Sequence, residues 1–114
     1  MKRTIGAAGI ALGLFGCIGP VHAQDMPNLK DPQVIGAGKT LFLEKHCSNC
    51  HGARGDGGVN LNRRDLSDPD YVFQAIAEGR EKGGLRMPAF RGVMSDAEIW
   101  QAVAYVMSLS NKSQ

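Results

Sequence analysis

Residues 47–51 read Cys-Ser-Asn-Cys-His, within the stretch EKHCSNCHGARGDGG spanning 44–58. Two cysteines three positions apart, with a histidine directly after the second, constrain this chain more than any other feature. They admit three chemistries: a structural zinc site, a dithiol redox pair, or the covalent anchor of an iron porphyrin. The chain has three cysteines, and Cys17 lies in a segment to be set aside below. Cys47 and Cys50 are then the remaining thiols, which excludes a framework of several disulfides.

The first 23 residues read as an export signal. Lys2 and Arg3 supply the positive start, and Ile5 to Ile18 is an almost unbroken apolar and glycine-rich run. Val21-His22-Ala23 places small residues where signal peptidase cuts, leaving Gln24 as the new N-terminus. The run falls short of the roughly 20 apolar residues that a bilayer core requires. A second reading is a lipoprotein, because Leu14-Phe15-Gly16-Cys17 is similar to a lipobox with Cys17 as the lipidated residue. In either case the chain crosses a membrane, and 24–114 forms one small domain. That domain is soluble unless Cys17 tethers it. Removing Lys2 and Arg3 leaves 11 basic residues against 11 acidic ones. A formally neutral domain argues against nucleic-acid binding, which normally shows a basic excess.

Three helices are expected. Asp31 followed by Pro32 is a cap and first-turn pair, opening a helix to about His46, with Val34, Gly38, Leu41 and Phe42 on one face. Ser67-Asp68-Pro69 repeats that signal and opens a helix to Gly79. Its buried side is either Tyr71, Ala75 and Ile76, or Val72, Ala75 and Gly79. Ser95 and Glu98 have capping-box spacing, with Met94 and Ile99 placed as a hydrophobic staple. That last helix, AEIWQAVAYVMSL, is apolar on more than one face and should be largely buried. Residues 52–62 and 80–94 read as glycine-rich loops, and no stretch reads as a strand. The expectation is an all-α domain.

The helical context sorts the three chemistries. Zinc wants four ligands, and the histidines of 24–114 are only His46 and His51, both beside the cysteines and badly placed to close a tetrahedron. A thioredoxin-like pair normally follows a strand. Cys-x-x-Cys-His is the attachment pattern for c-type haem. The two thiols, one helical turn apart, meet two vinyl groups as thioethers, and His51 turns its imidazole to the iron. His46 reads as a bystander at the end of the first helix. For the opposite face of the iron, the methionines of 24–114 are Met26, Met87, Met94 and Met107. Met26 is near a terminus, Met94 is the staple, and Met107 lies inside the last helix. Met87, between glycines and Pro88, is free to project, with 36 residues of chain back to His51.

The chain resembles the class I c-type cytochromes, through CSNCH, MPAF and the flanking helices over residues 33–109. The resemblance implies a small cytochrome c fold, three or more helices wrapped around one covalently bound haem c. It implies close crossing of the first and last helices through Gly38, Phe42 and Tyr105. Cys47 and Cys50 would hold the haem, with His51 and Met87 as axial ligands. The family usually carries a proline in the loop after the motif, and GDGGVNLNRRDL has none. A carbonyl near Val59 or Asn60 is expected to hold the proximal imidazole instead. Arg63 and Arg64 are candidates for the haem propionates. Arg80, Lys82, Arg86 and Arg91 surround Met87, where the family docks redox partners, but Glu78 and Glu81 dilute them toward an ordinary solvated loop.

The implied function is a monomeric, periplasmic, single-haem electron carrier rather than an enzyme. It would run between a dehydrogenase or quinol-oxidising complex and a terminal oxidase or reductase. A lipid-anchored form would face the same compartment. A haem sensor or peroxidase-like protein, with Met87 absent from the iron, is the reading from another class.

Overall fold

The computed structural model describes residues 26–111; the expected leader, its cleavage point and Cys17 lie outside the described residues. Six elements follow one another: α1 Pro32–Glu44, α2 Ser48–His51, α3 Pro69–Glu78, β1 Arg80–Lys82, β2 Leu85–Met87 and α4 Asp96–Leu109. Each long helix starts where its capping chemistry dictates. The Asp31 carboxylate accepts from the Gln33 amide at 2.9 Å, ahead of Pro32. Asp68 accepts from the Asp70 and Tyr71 amides at 3.0 and 3.3 Å. The capping box at α4 is complete: Glu98 N–H donates to Ser95 Oγ at 3.2 Å, and Ser95 N–H donates to Glu98 Oε1 at 3.0 Å. Those hydrogen bonds hold the Glu98 carboxyl below its ordinary pKa, the bond from the Ser95 amide foremost.

α1 and α4 cross in near contact because Gly38 has no side chain. A Cβ there would lie 1.9 Å from the Gln101 carbonyl oxygen and 2.9 Å from Tyr105 Cβ. At the crossing, the Phe42 and Tyr105 rings meet edge to face, their centroids 5.1 Å apart. α3 packs on the other side of α4 through Phe73 and Trp100, centroids 4.5 Å apart. Phe42, Phe73, Ile99 and Val103 are fully enclosed, and Met94 joins them as the sequence leads one to expect of a staple. α4 buries Ile99, Trp100 and the whole run Ala102 to Val106.

Three local expectations change. His46 is not on the last turn of α1. The helix caps at Lys45, and His46 follows with φ +63, its amide bonded to Leu43 O while Cys47 N–H reaches Phe42 O. This is the Schellman arrangement, with histidine where glycine is usual. It turns the chain so that Cys47 opens the next helical turn. On α3 the buried residues are Val72, Phe73, Ile76 and Ala77, which takes Val72 from one expected face and Ile76 from the other, while Tyr71 lies outside under the Arg80 guanidinium, 4.6 Å from its ring centre. Finally, 80–87 is an antiparallel hairpin, pairing Arg80 with Met87 and Lys82 with Leu85 around Gly83-Gly84. The two glycines take φ +59 and +82, the positive values that a two-residue hairpin turn requires. Among the described residues the other regular elements are helices.

Candidate haem site

The short helix α2 carries Ser48, Asn49, Cys50 and His51, with Cys47 as its cap in helical conformation. Both thiols are free; Cys47 is half-buried against the core and Cys50 is exposed. Burial pushes the Cys47 thiol above its ordinary pKa, only partly offset by a backbone hydrogen bond. A reactive dithiol needs the opposite, a thiol pushed down to a thiolate. This environment does not favour Cys47 as a reactive thiolate. Nor do the described residues contain a group of three or more His, Cys, Asp or Glu side chains that could hold a metal ion, as a structural zinc would need.

The loop after α2 folds back over the motif. Gly57 N–H donates to His51 O at 2.8 Å. A Cβ on Gly57 would stand 2.6 Å from the Gly52 amide nitrogen and 2.7 Å from the His51 carbonyl carbon, so only glycine lets the backbones approach this closely. That approach delivers Val59, whose N–H donates to Cys50 O at 3.0 Å and whose carbonyl lies 2.8 Å from His51 Nδ1. A carbonyl oxygen can only accept, so Nδ1 carries the proton and the Nε2 lone pair is free for a metal. The expectation that Val59 or Asn60 would take the role of the missing proline resolves onto Val59.

The loop is fastened at its far side by α4. Tyr105 donates its hydroxyl to Ala53 O at 3.0 Å, and burial raises the phenol above its ordinary pKa, which keeps it protonated and donating. Asn62, with its amide turned to satisfy both partners, donates to the carbonyls of Arg54 and Leu109, each at 2.9 Å. Ser110 Oγ donates to Arg64 O, and Asn111 N–H to Asn62 O at 2.9 Å. Tyr105 is legible in the sequence as a helix-packing residue. Its hydroxyl bond, and the roles of Asn62 and Ser110, link positions far apart in the chain and leave no local signal. Arg64 is held by its Nε on Asn60 O at 3.3 Å, and both Arg63 and Arg64 are exposed.

Met87 ends β2 and is half-buried against the same core that receives Cys47. The segment after it is docked on the end of α3: Phe90 and Arg91 amides donate to Ile76 and Ala77 carbonyls at 3.0 and 3.1 Å. Arg91 then pairs with Glu78 at 2.6 Å and reaches Asp96 at 3.5 Å. Two free thiols on one turn, an adjacent imidazole with its Nε2 available, and a thioether on an anchored loop fit a covalently attached haem.

The comparisons with known proteins point to the same cofactor. The model of the family described as cytochrome C oxidase, cbb3-type, subunit III matches residues 33–106. The Cbb3-type cytochrome c oxidase subunit FixP of Sinorhizobium medicae (strain WSM419) is 35% identical over 88 residues. That match takes in 67% of this chain but only 30% of the relative, so the chain spans less than a third of that protein. Cytochrome c6 of Thermostichus vulcanus is 30% identical over 118 aligned residues, 97% of this chain and 95% of its own. Among solved structures, cytochrome CL from the marine methylotrophic bacterium Methylophaga aminisulfidivorans MPT superposes with a TM-score of 0.56 at 28% identity. It covers 70% of this chain and 55% of that one. Members of the family carry covalently bound haem c. The chain belongs to the class I c-type cytochromes, carriers of electrons on that haem.

Proposed function

We propose that this protein is a periplasmic single-electron carrier whose one haem c is bound through Cys47 and Cys50 and ligated by His51 and Met87. The observation that carries the reading is the 2.8 Å contact between His51 Nδ1 and Val59 O, on the same turn as the two thiols. It fixes the tautomer and the ring, and a histidine whose second nitrogen is held in this way is a stronger and better-aimed ligand. When bound, the haem supplies a one-electron iron couple. Cys47 and Cys50 hold it without dependence on affinity. Met87 would hold the iron through its thioether, which would favour the reduced state and raise the potential. With His51 and Met87 both committed to the iron, substrate would be kept from the metal, which suits a carrier rather than an enzyme.

Export on the segment 1–23 would carry the protein to the periplasm with Gln24 first, which fits covalent haem attachment. For partners, the likeness to a terminal-oxidase subunit favours an oxidase as acceptor, with a periplasmic dehydrogenase or quinol-oxidising complex as donor. Arg80, Lys82 and Arg86 stand exposed on the hairpin with Glu81 as its one carboxylate, a patch suited to an acidic partner face.

The test is the absorption spectrum of the exported protein, oxidised and reduced, with carbon monoxide then added to the reduced form. A low-spin spectrum with a methionine-to-iron charge-transfer band, unmoved by carbon monoxide, is expected. Rapid carbon monoxide binding or a high-spin spectrum overturns Met87 as a ligand and favours a sensor or peroxidase-like protein.

A further inference from the structure

Gly79 closes α3 with φ +77 and ψ 176, a backbone region that essentially only glycine adopts. That conformation alone explains a glycine. Its surroundings add a second reason. A Cβ on Gly79 would lie 2.5 Å from the Met87 carbonyl oxygen and 3.0 Å from both the Pro88 carbonyl carbon and the Ala89 amide nitrogen. All three neighbours are backbone, so no side chain can rotate away. The segment from Met87 to Ala89 therefore rests directly on the Gly79 backbone. On either side of that seat the segment is tied down. Arg80 pairs with Met87 across the hairpin, and the Phe90 and Arg91 amides bond to the last carbonyls of α3.

The geometry points to Gly79 as the positioning residue for Met87: its missing side chain sets how deeply the methionine loop sits, and so how firmly the thioether holds the iron. The inference rests on the His51/Met87 reading. A side chain at 79 must lift the 87–89 backbone or swing it aside. The bonds at Phe90 and Arg91 confine that movement to the ligand itself. Met87 would then be held less firmly, and an added small ligand would compete with it more easily. A ligand that competes with an internal group gains apparent affinity in proportion to the fraction of sites left open.

The hairpin contains its own control. Gly84 has φ +82, close to that of Gly79, but a Cβ there meets nothing within 4 Å. Gly84→Ala imposes the backbone cost without the collision. Gly79→Asn repeats the collision with a second side chain, since it too carries a Cβ. The experiment uses the haem-loaded full-length protein and four variants: Gly79→Ala, Gly79→Asn, Gly84→Ala and Met87→Ala. Helix content is read by circular dichroism, the methionine-to-iron band by absorption, and equilibrium binding of cyanide and carbon monoxide by titration.

Both Gly79 variants are expected to keep their helices, weaken the charge-transfer band and bind the added ligands at least about tenfold more tightly. Gly84→Ala should match the parent. Wild-type affinity and band intensity in the Gly79 variants overturn the proposal. So does equal loosening in Gly84→Ala, because backbone strain would then be the cause. If Gly79→Ala does not fold, Gly79→Asn decides between the same two outcomes. An unaltered spectrum in Met87→Ala overturns the ligand assignment itself, a different failure from that of Gly79 alone.

Discussion

Gly36 and Gly38 lie two residues apart in α1, and the same substitution should act on them with opposite signs. An alanine Cβ at 38 would sit 1.9 Å from the Gln101 carbonyl oxygen, 2.7 Å from its carbon and 2.9 Å from Tyr105 Cβ. Heavy atoms settle at about 3.5–4.0 Å, so the two helices must part by roughly 1.5 Å. Both sides of the contact are backbone or Cβ, and parting them opens the packing of Phe42 on Tyr105. Overpacking of this kind costs up to about 3 kcal/mol, or occasionally more. Alanine returns about 1 kcal/mol of helix propensity relative to glycine. The net expectation is a loss of about 2 kcal/mol for Gly38→Ala, against a total stability on the order of 5–15 kcal/mol. A Cβ at Gly36 meets nothing within 4 Å, so Gly36→Ala keeps only the gain, about 0.5–1 kcal/mol. In a domain this small, 1 kcal/mol moves the melting temperature by roughly 4–8 °C, so the two variants should separate by about 10–20 °C. Urea and thermal unfolding of the haem-loaded proteins measure this. A Gly38→Ala protein as stable as Gly36→Ala would show that the helix crossing does not depend on that contact.

Two further variants probe the haem loop. Tyr105→Phe keeps the ring against Phe42 but leaves the Ala53 carbonyl without its donor, a loss of about 1–3 kcal/mol in denaturant unfolding at neutral pH. It should also flatten an alkaline slope. The folded phenol has a raised pKa, so its contribution is complete below the unfolded value of about 10 and is lost as pH rises through the folded value. An unchanged alkaline slope refutes that link. His46→Gly removes the cost of a side chain at φ +63 while keeping the Schellman bonds, and should raise stability by about 0.5–1 kcal/mol with haem content unchanged. A less stable glycine variant would mean that the imidazole makes a contribution of its own.

What could be read in the sequence follows a physical line. The three long helices announce themselves through contacts within four residues: Asp31 with Pro32, Asp68 with Pro69, and Ser95 with Glu98. Val59 was within reach because a histidine in this setting needs an acceptor and the loop offered no proline. The hairpin was not, because its strands are three residues long, polar and exposed, with no alternation of burial to detect. Its one signal was Gly83-Gly84, which could equally be taken as a helix stop. Tyr71 misled for a related reason. An aromatic residue at the right spacing on α3 looks like core, yet here Arg80 covers its outer face and Phe73 takes the inner place. The crossing at Gly38, Phe42 and Tyr105 was legible only through the family resemblance, and the Gly79 contact and the Tyr105 hydroxyl bond join separate segments, where spacing carries no information.

The fastening of the haem loop to the end of α4 has a consequence for the order of events. Tyr105 reaches back 52 residues to Ala53, and Ser110 reaches back 46 to Arg64. None of these bonds can form on a chain that emerges from its N-terminus until α4 has emerged too. Ala53 and Arg64 must keep their carbonyls in water until then. The thiols of Cys47 and Cys50 are thus made before the loop that follows them can be fastened. Chain growth alone sets the timetable: anchor points first, latch afterwards.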